Sequence, residues 1–221
     1  MADTLLRTYG RVRGRALRAG RASLLDGRLP TLRVDLERPI PASAGEVWLE
    51  LGFGGGEHLA AQARRRPDVL MLGAEPFVNG VASALRHVED AGLRNVRVHP
   101  GDGRELIAAL PDRSVSKVFV LFPDPWPKTR HHKRRLINPE VLAELARVMR
   151  PGALLRFATD WADYVAWTLQ LMQRSAAFAW IAERADDWRR APGDHVATRY
   201  EQKRLGDCAP VFLDFCRTEA P

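Results

Sequence analysis

At 221 residues and 46% apolar composition the chain can fill one core and is short for two domains, and 28% charged residues exclude a low-complexity polymer. The net charge of +7 is unevenly placed: residues 1–28 set seven arginines against Asp3 and Asp26, and residues 128–135 carry five cations and no acid, so each segment is +5 and the remainder is −3. Two basic segments on a mildly acidic body point to a polyanionic partner and not to a membrane, since no apolar run approaches the roughly 18 residues that span a bilayer.

The N-terminus lacks the apolar stretch of a secretory signal. Cys208 and Cys216 form no CxxC pair, so two reduced thiols in a cytoplasmic protein are expected, with neither a disulfide framework nor a zinc site. His131, His132 and His195 have no metal-like partners in the sequence, and no metal is expected. The expected layout is a basic arm over residues 1–30 followed by one domain over 31–221.

In chain order, Val47-Trp48-Leu49 reads as a strand entering a glycine cluster, and 57–66 as a helix. A strand at 69–72, a helix at 77–91, a strand at 96–98 and an almost wholly apolar strand at 118–122 follow. A helix over 139–150 should stop at Pro151-Gly152, ahead of a strand at 154–158 and a helix at 161–174. Strands alternating with helices predict βαβ units and an α/β fold with a mostly parallel sheet covered on both faces. Apolar runs at 179–182 and 211–215 predict a C-terminal antiparallel hairpin with a long loop.

Ligands of such sheets bind at the carboxyl ends of the strands, so the residues just after each strand are the candidates. Glu50 precedes Gly52, Gly54 and Gly56, whose spacing places Glu57 where a dinucleotide fingerprint needs Gly or Ala; a pyrophosphate there would meet a carboxylate. An acid followed by G-x-G-x-G suits a ligand ending in a cationic amino acid. Glu75 after the second strand can accept ribose hydroxyls, and Asp102 after the third can accept an adenine amine. Singly, such acids are usually solvated loop carboxylates. Three in succession beside a glycine loop read as an S-adenosylmethionine pocket.

The sharpest motif follows the fourth strand: Phe122-Pro123-Asp124-Pro125-Trp126-Pro127-Lys128, then Arg130, His131, His132, Lys133, Arg134 and Arg135. Prolines flanking Asp124 and Trp126 fix backbone angles, aiming a carboxylate and a ring ahead of a phosphate-docking surface. With Ala158-Thr159-Asp160-Trp161 and Thr198-Arg199-Tyr200-Glu201, this stretch makes the chain resemble the bacterial tRNA (guanine-N7-)-methyltransferases over nearly its whole length. The resemblance implies a class I, Rossmann-like, S-adenosylmethionine-dependent enzyme that methylates N7 of a guanine, position 46 of the tRNA variable loop. It also implies residue roles. Glu50, Glu75, Asp102, Asp124 and the glycine loop hold the donor, and Asp124 is catalytic. Lys128, Asp160, Thr198, Arg199, Tyr200 and Glu201 hold substrate, and residues 130–135 contact RNA.

The sequence departs from the family at Gly103, where Ala is usual, and at Gly206-Asp207, where Gly-His is common; Gly20-Arg21 replaces a Gly-Gln. Asp160 has a second reading, as the N-cap of the helix after it. Two other functions stay open on the residues alone: an S-adenosylmethionine-dependent enzyme for another substrate, and an inactive RNA-binding protein on the same scaffold.

Overall fold

Alternation within the apolar runs decides which layer each side chain enters. In β1 (Glu46–Leu51), Val47, Leu49 and Leu51 point into one core and Trp48 into the other. The computed structural model describes residues 9–41 and 44–220; the first eight residues of the basic arm, Arg7 among them, lie outside the described residues. Strand β1 is central, with β2 (Val69–Ala74) and β3 (Val96–His99) to one side and β4 (Val115–Leu121) and β5 (Met149–Thr159) to the other, all parallel. Strand β7 (Val211–Arg217) is antiparallel to β5 and lies between it and the edge strand β6 (Phe178–Trp180), giving the order β3-β2-β1-β4-β5-β7-β6.

Helices α1 (Ala19–Gly27), α3 (Glu57–Arg65) and α4 (Val78–Asp90) close the Trp48 face with Leu24, Leu59, Val81 and Leu85. The opposite face is closed by α5 (Gly103–Ala109), α6 (Pro139–Val148) and α7 (Ala162–Gln173), through Ile107, Leu145 and Tyr164. The short helices α2 (Leu29–Leu32), α8 (Asp186–Arg189) and α9 (Arg199–Gln202) lie in the connections, as does a 3-10 turn over Thr129–Arg134. None of the described helices is long and apolar enough to cross a membrane.

Several boundaries differ from expectation by a few residues: β4 starts at Val115, α6 ends at Val148 and β6 spans Phe178–Trp180. Two further differences have a backbone cause. Strand β4 stops at Leu121 because Phe122 turns out of it with φ +50°. Strand β5 begins at Met149, well before Leu154, and carries Pro151-Gly152 within it. Proline lacks a ladder donor and Gly152 has φ +79°, so the pairing with β4 slips between Val115 and Lys117 instead of ending.

The described part of the basic arm is folded back on the molecule. Val12 O accepts from Val78 N (3.0 Å), Gly14 N donates to Asn79 Oδ1 (3.0 Å) and Asn79 Nδ2 donates to Arg15 O (2.8 Å). Residues 9–15 thus form a strap running from the start of α4 toward the loop after β4, where Tyr9 packs edge-on against Trp126.

Candidate functional site

The sheet reverses direction of winding between β1 and β4, which opens a crevice at the carboxyl ends of those strands. Into it runs the loop after β1, where Gly52, Gly54 and Gly56 have φ of +74°, +54° and +82°. A Cβ at Gly52 or Gly54 would meet nothing within 4 Å, so the left-handed backbone, and not crowding, requires glycine there, and the loop is left open to a ligand.

Four acids rim this loop. Glu50, at the end of β1, is buried, and one of its oxygens stands 2.8 Å from His58 Nδ1. Gln62 Nε2, a donor only, lies 3.0 Å from His58 Nε2, so Nδ1 carries the imidazole proton and donates to Glu50. Glu75, following β2, accepts from Gly54 N (2.7 Å) and Phe77 N (2.9 Å). Each of its oxygens keeps a lone pair for a hydroxyl donor. Burial pushes its carboxyl above the usual range, with smaller contributions from the charges of Asp124 and Glu50. Asp102 caps α5 by accepting from Arg104 N (3.0 Å) and is chelated by the Arg104 guanidinium, Nη2 at 2.7 Å.

Asp124 stands in the loop after β4, between Phe122 and Trp126, both at positive φ. It is exposed at the mouth of the crevice, yet the surrounding protein displaces enough water to raise its carboxyl above the aspartate norm. The strap reaches it: a Cβ at Gly10 would lie 3.6 Å from Asp124 Oδ2.

On the far side Asp160 is buried after β5. Its Oδ2 accepts from Gly206 N (2.9 Å), its carbonyl accepts from Cys208 N (3.1 Å), and its Oδ1 is buried without a partner. It does not cap α7: Thr159 Oγ1 accepts from Trp161 N, and Asp207 Oδ1 accepts from Ala162 N at 2.8 Å. Asp160 is therefore free of the capping role, and its orphaned oxygen is an acceptor that calls for a donor. Tyr200 feels both acids. Burial raises its phenol, and the charges of Asp124 and Asp160 add to the shift. Thr198 caps α9 by accepting from Glu201 N (3.2 Å), Glu201 Oε2 lies 2.7 Å from His195 Nε2, and Arg199 Nε pairs with Glu57 Oε1 at 2.5 Å.

A family model described as "Putative methyltransferase" matches residues 44–212. The chain is 57% identical over 217 residues to the tRNA (guanine-N(7)-)-methyltransferase of Caulobacter sp. (strain K31), covering 96% of this chain and 95% of that protein. The protein of the same name from Hyphomonas neptunium is 48% identical, with 95% and 99% covered. The chain belongs to the tRNA (guanine-N(7)-)-methyltransferase family. The fold is shared more widely: the 16S rRNA (adenine(1408)-N(1))-methyltransferase from Catenulisporales acidiphilia superposes with a TM-score of 0.57 at 22% identity, over 81% of this chain and 91% of that one.

The crevice fits the family's methyl donor. A glycine cradle open to a ligand, ringed by Glu50, Glu75 and Asp124, with the charges of Glu50 and Asp124 adding to the raised proton affinity of Glu75, needs a cation to relieve the repulsion. The amino and sulfonium charges of S-adenosylmethionine meet that need. Among the described residues no three His, Cys, Asp or Glu side chains group as a metal site.

The structure divides the 128–135 segment. Lys128, Arg130 and Lys133 are exposed, and His131 is half-buried beside Trp126. Arg134 lies over the rings of Tyr9 and Trp126, 4.9 Å from each centroid. Arg135 corrects the sequence expectation: it is 1% exposed, donates to Pro125 O (2.9 Å) and to Asp163, and stacks over Tyr164 and Trp167. It braces the loop and cannot reach a phosphate. His132 turns inward beside it, its ring on Trp167 and its Nε2 3.2 Å from Asp163. Sequence patterns do not reveal His58, Arg104 or Asp207, whose parts depend on neighbours that no local motif announces.

Proposed function

We propose that this chain transfers the methyl group of S-adenosylmethionine to N7 of a guanine in tRNA, at position 46 of the variable loop. The observation that carries the reading is the set of acids at the ends of successive strands around an open glycine cradle, with the buried, unpartnered Asp160 Oδ1 nearby. When bound, the donor supplies an electrophilic methyl group on sulfur.

Guanine N7 has an in-plane lone pair, so no base need act first. The protein's work is alignment and charge compensation as positive charge develops on the purine. Asp124 accepts from the guanine Watson–Crick edge and balances that charge. Asp160 supplies the second acceptor through the oxygen that has no donor within the protein. Tyr200, between them in its electrostatic environment, offers its ring to the base. Glu50 and Glu75 hold the donor's charged end and ribose, and Asp102 its adenine, with Arg104 fixing the Asp102 carboxylate in place. Freeing N7 from a folded tRNA costs a few kcal/mol. Phosphate contacts from the basic arm and from Lys128, Arg130, Lys133 and Arg134 offset that cost and make binding salt-dependent. The arm over residues 1–30 and the domain over 31–221 act together, and the protein works in the cytoplasm.

The test is methyl transfer from labelled S-adenosylmethionine to unmodified tRNA, digested and read by mass spectrometry. Label in 7-methylguanosine is expected. Label in another nucleoside would keep the donor and overturn the role of Asp124, and tight tRNA binding with no label would favour an inactive binding protein.

A further inference from the structure

On the Trp48 face, Phe119, Ala158 and Phe212 carry the sheet across β4, β5 and β7. That area carries Lys117 and Arg156, both largely buried, and Asp214. The segment between α8 and α9 closes it, and the closure centres on Asp194. The Asp194 carboxylate takes Lys117 Nζ at 2.7 Å and the Arg156 guanidinium, which also forks onto Asp214 at 2.8 Å through both Nε and Nη2. The Asp194 carbonyl accepts from Gln62 Nε2 (2.6 Å) and from Arg65 on α3. The two strand cations hold the Asp194 carboxyl far below the aspartate norm, outweighing the opposing effect of burial.

One residue on, His195 wedges its ring against Phe212 (4.9 Å between centroids) and near His58 (6.1 Å), with Nε2 on Glu201. A polar chain therefore runs from Glu50 through His58 and Gln62 to Asp194, and from its neighbour His195 to Glu201 on the turn that also bears Tyr200. The loop has little apolar surface of its own to hold it: Pro192, Asp194, His195 and Val196 are half-buried, and Ala191, Gly193 and Ala197 are exposed.

We propose that Asp194 is a positioning residue that fixes the 198–201 turn over the crevice, through its carboxylate on β4 and β5 and its carbonyl on α3. The inference rests on the substrate role given above to Tyr200 and Glu201. It assigns Asp194 to the tRNA side of the reaction, because its carboxylate grips the turn's anchor and touches the donor side only through a backbone carbonyl. Asn retains the shape and the carbonyl but removes the charge that the two cations face.

Asp194→Asn should leave affinity for S-adenosylhomocysteine within about twofold of the parent while kcat/KM for tRNA falls about 10- to 100-fold. Trypsin should cut after Lys203 and Arg204 faster in the variant, with or without tRNA. Lys117→Met, which removes one cation and keeps the stem, should move both readouts the same way by less, and it carries the test if Asp194→Asn does not fold. Parent-like tRNA kinetics and cleavage in both variants would overturn the proposal, as would an equal loss of donor binding. A parent protein that makes no 7-methylguanosine would count against the functional reading alone, since the trypsin comparison still judges Asp194.

Discussion

A carboxylate whose proton affinity is raised by its surroundings loses its charge at a higher pH than a free one. Asp124, though exposed, is in that position because the surrounding protein partly displaces its water, so it ionises at a higher pH than an ordinary aspartate. If its charge compensates the purine, kcat/KM should fall as pH drops through this raised pKa, on the acid side of the profile. Asp124→Asn should lower kcat by orders of magnitude, about 10²–10³-fold for removal of a charge-stabilising group, and flatten that limb. A surviving limb in the variant would assign it to another acid. For Asp160 the relevant fact is one oxygen with a donor and one without. Asp160→Asn can still accept from Gly206 N but points an amide at the guanine edge, so tRNA kcat/KM should drop at least about tenfold while calorimetric affinity for S-adenosylhomocysteine stays put. Residue types and spacing make Glu50, Glu75, Asp102 and Asp124 visible in the sequence, because they follow apolar strands in succession, whereas Asp160 is picked out there only by the family resemblance. Arg135 is hidden there for the opposite reason. In a run of cations nothing local distinguishes the one whose guanidinium stacks between Tyr164 and Trp167.

Among elements, the 3-10 turn over Thr129–Arg134 and the start of α7 make contrasting predictions. Replacing Lys128, Arg130 or Lys133 with Ala should reduce the slope of log K against log salt for tRNA by about one unit for each phosphate no longer neutralised, without shifting urea unfolding. Arg135→Ala should do the reverse. It removes the stacking on two rings and the hydrogen bond to Pro125 O, costing about 1–3 kcal/mol in urea unfolding, with the salt slope unchanged. The departure at Gly206-Asp207 also gains a purpose. Asp207 caps α7 from 45 residues away in sequence, so Asp207→Ala should cost about 0.5–2 kcal/mol by the same measurement. Gly206 has no room for a side chain: a Cβ there would lie 2.0 Å from Asp160 O. The parallel strands and the main helices are legible in the sequence because their apolar spacing is long and regular. Helix α9 and the 3-10 turn are not, since Thr198 capping and a proline-set entry give short elements no periodicity to read.

At the scale of the molecule, the crevice is finished by segments distant in sequence: the strap of residues 9–15, which reaches Asp124, and the loop pinned by Asp194. Sequence patterns display the sheet that lies between them but not these closures. Their anchors, Asn79 for one and Lys117 with Arg156 for the other, are single polar residues inside ordinary elements. Strand order adds a temporal consequence. Strand β7 sits inside the sheet although it follows every other described strand, so β5 has no partner on that side until residues 211–217 have left the ribosome. A nascent chain therefore carries an open sheet edge, prone to pair with a neighbour, for the whole time that residues 160–210 are being made. The loop pinned by Asp194 is strung between β6 and β7, so it takes its shape only when β7 docks. A chain that stops short of β7 can hold neither the turn nor the buried charges beneath it, so the site closes only once β7 has docked.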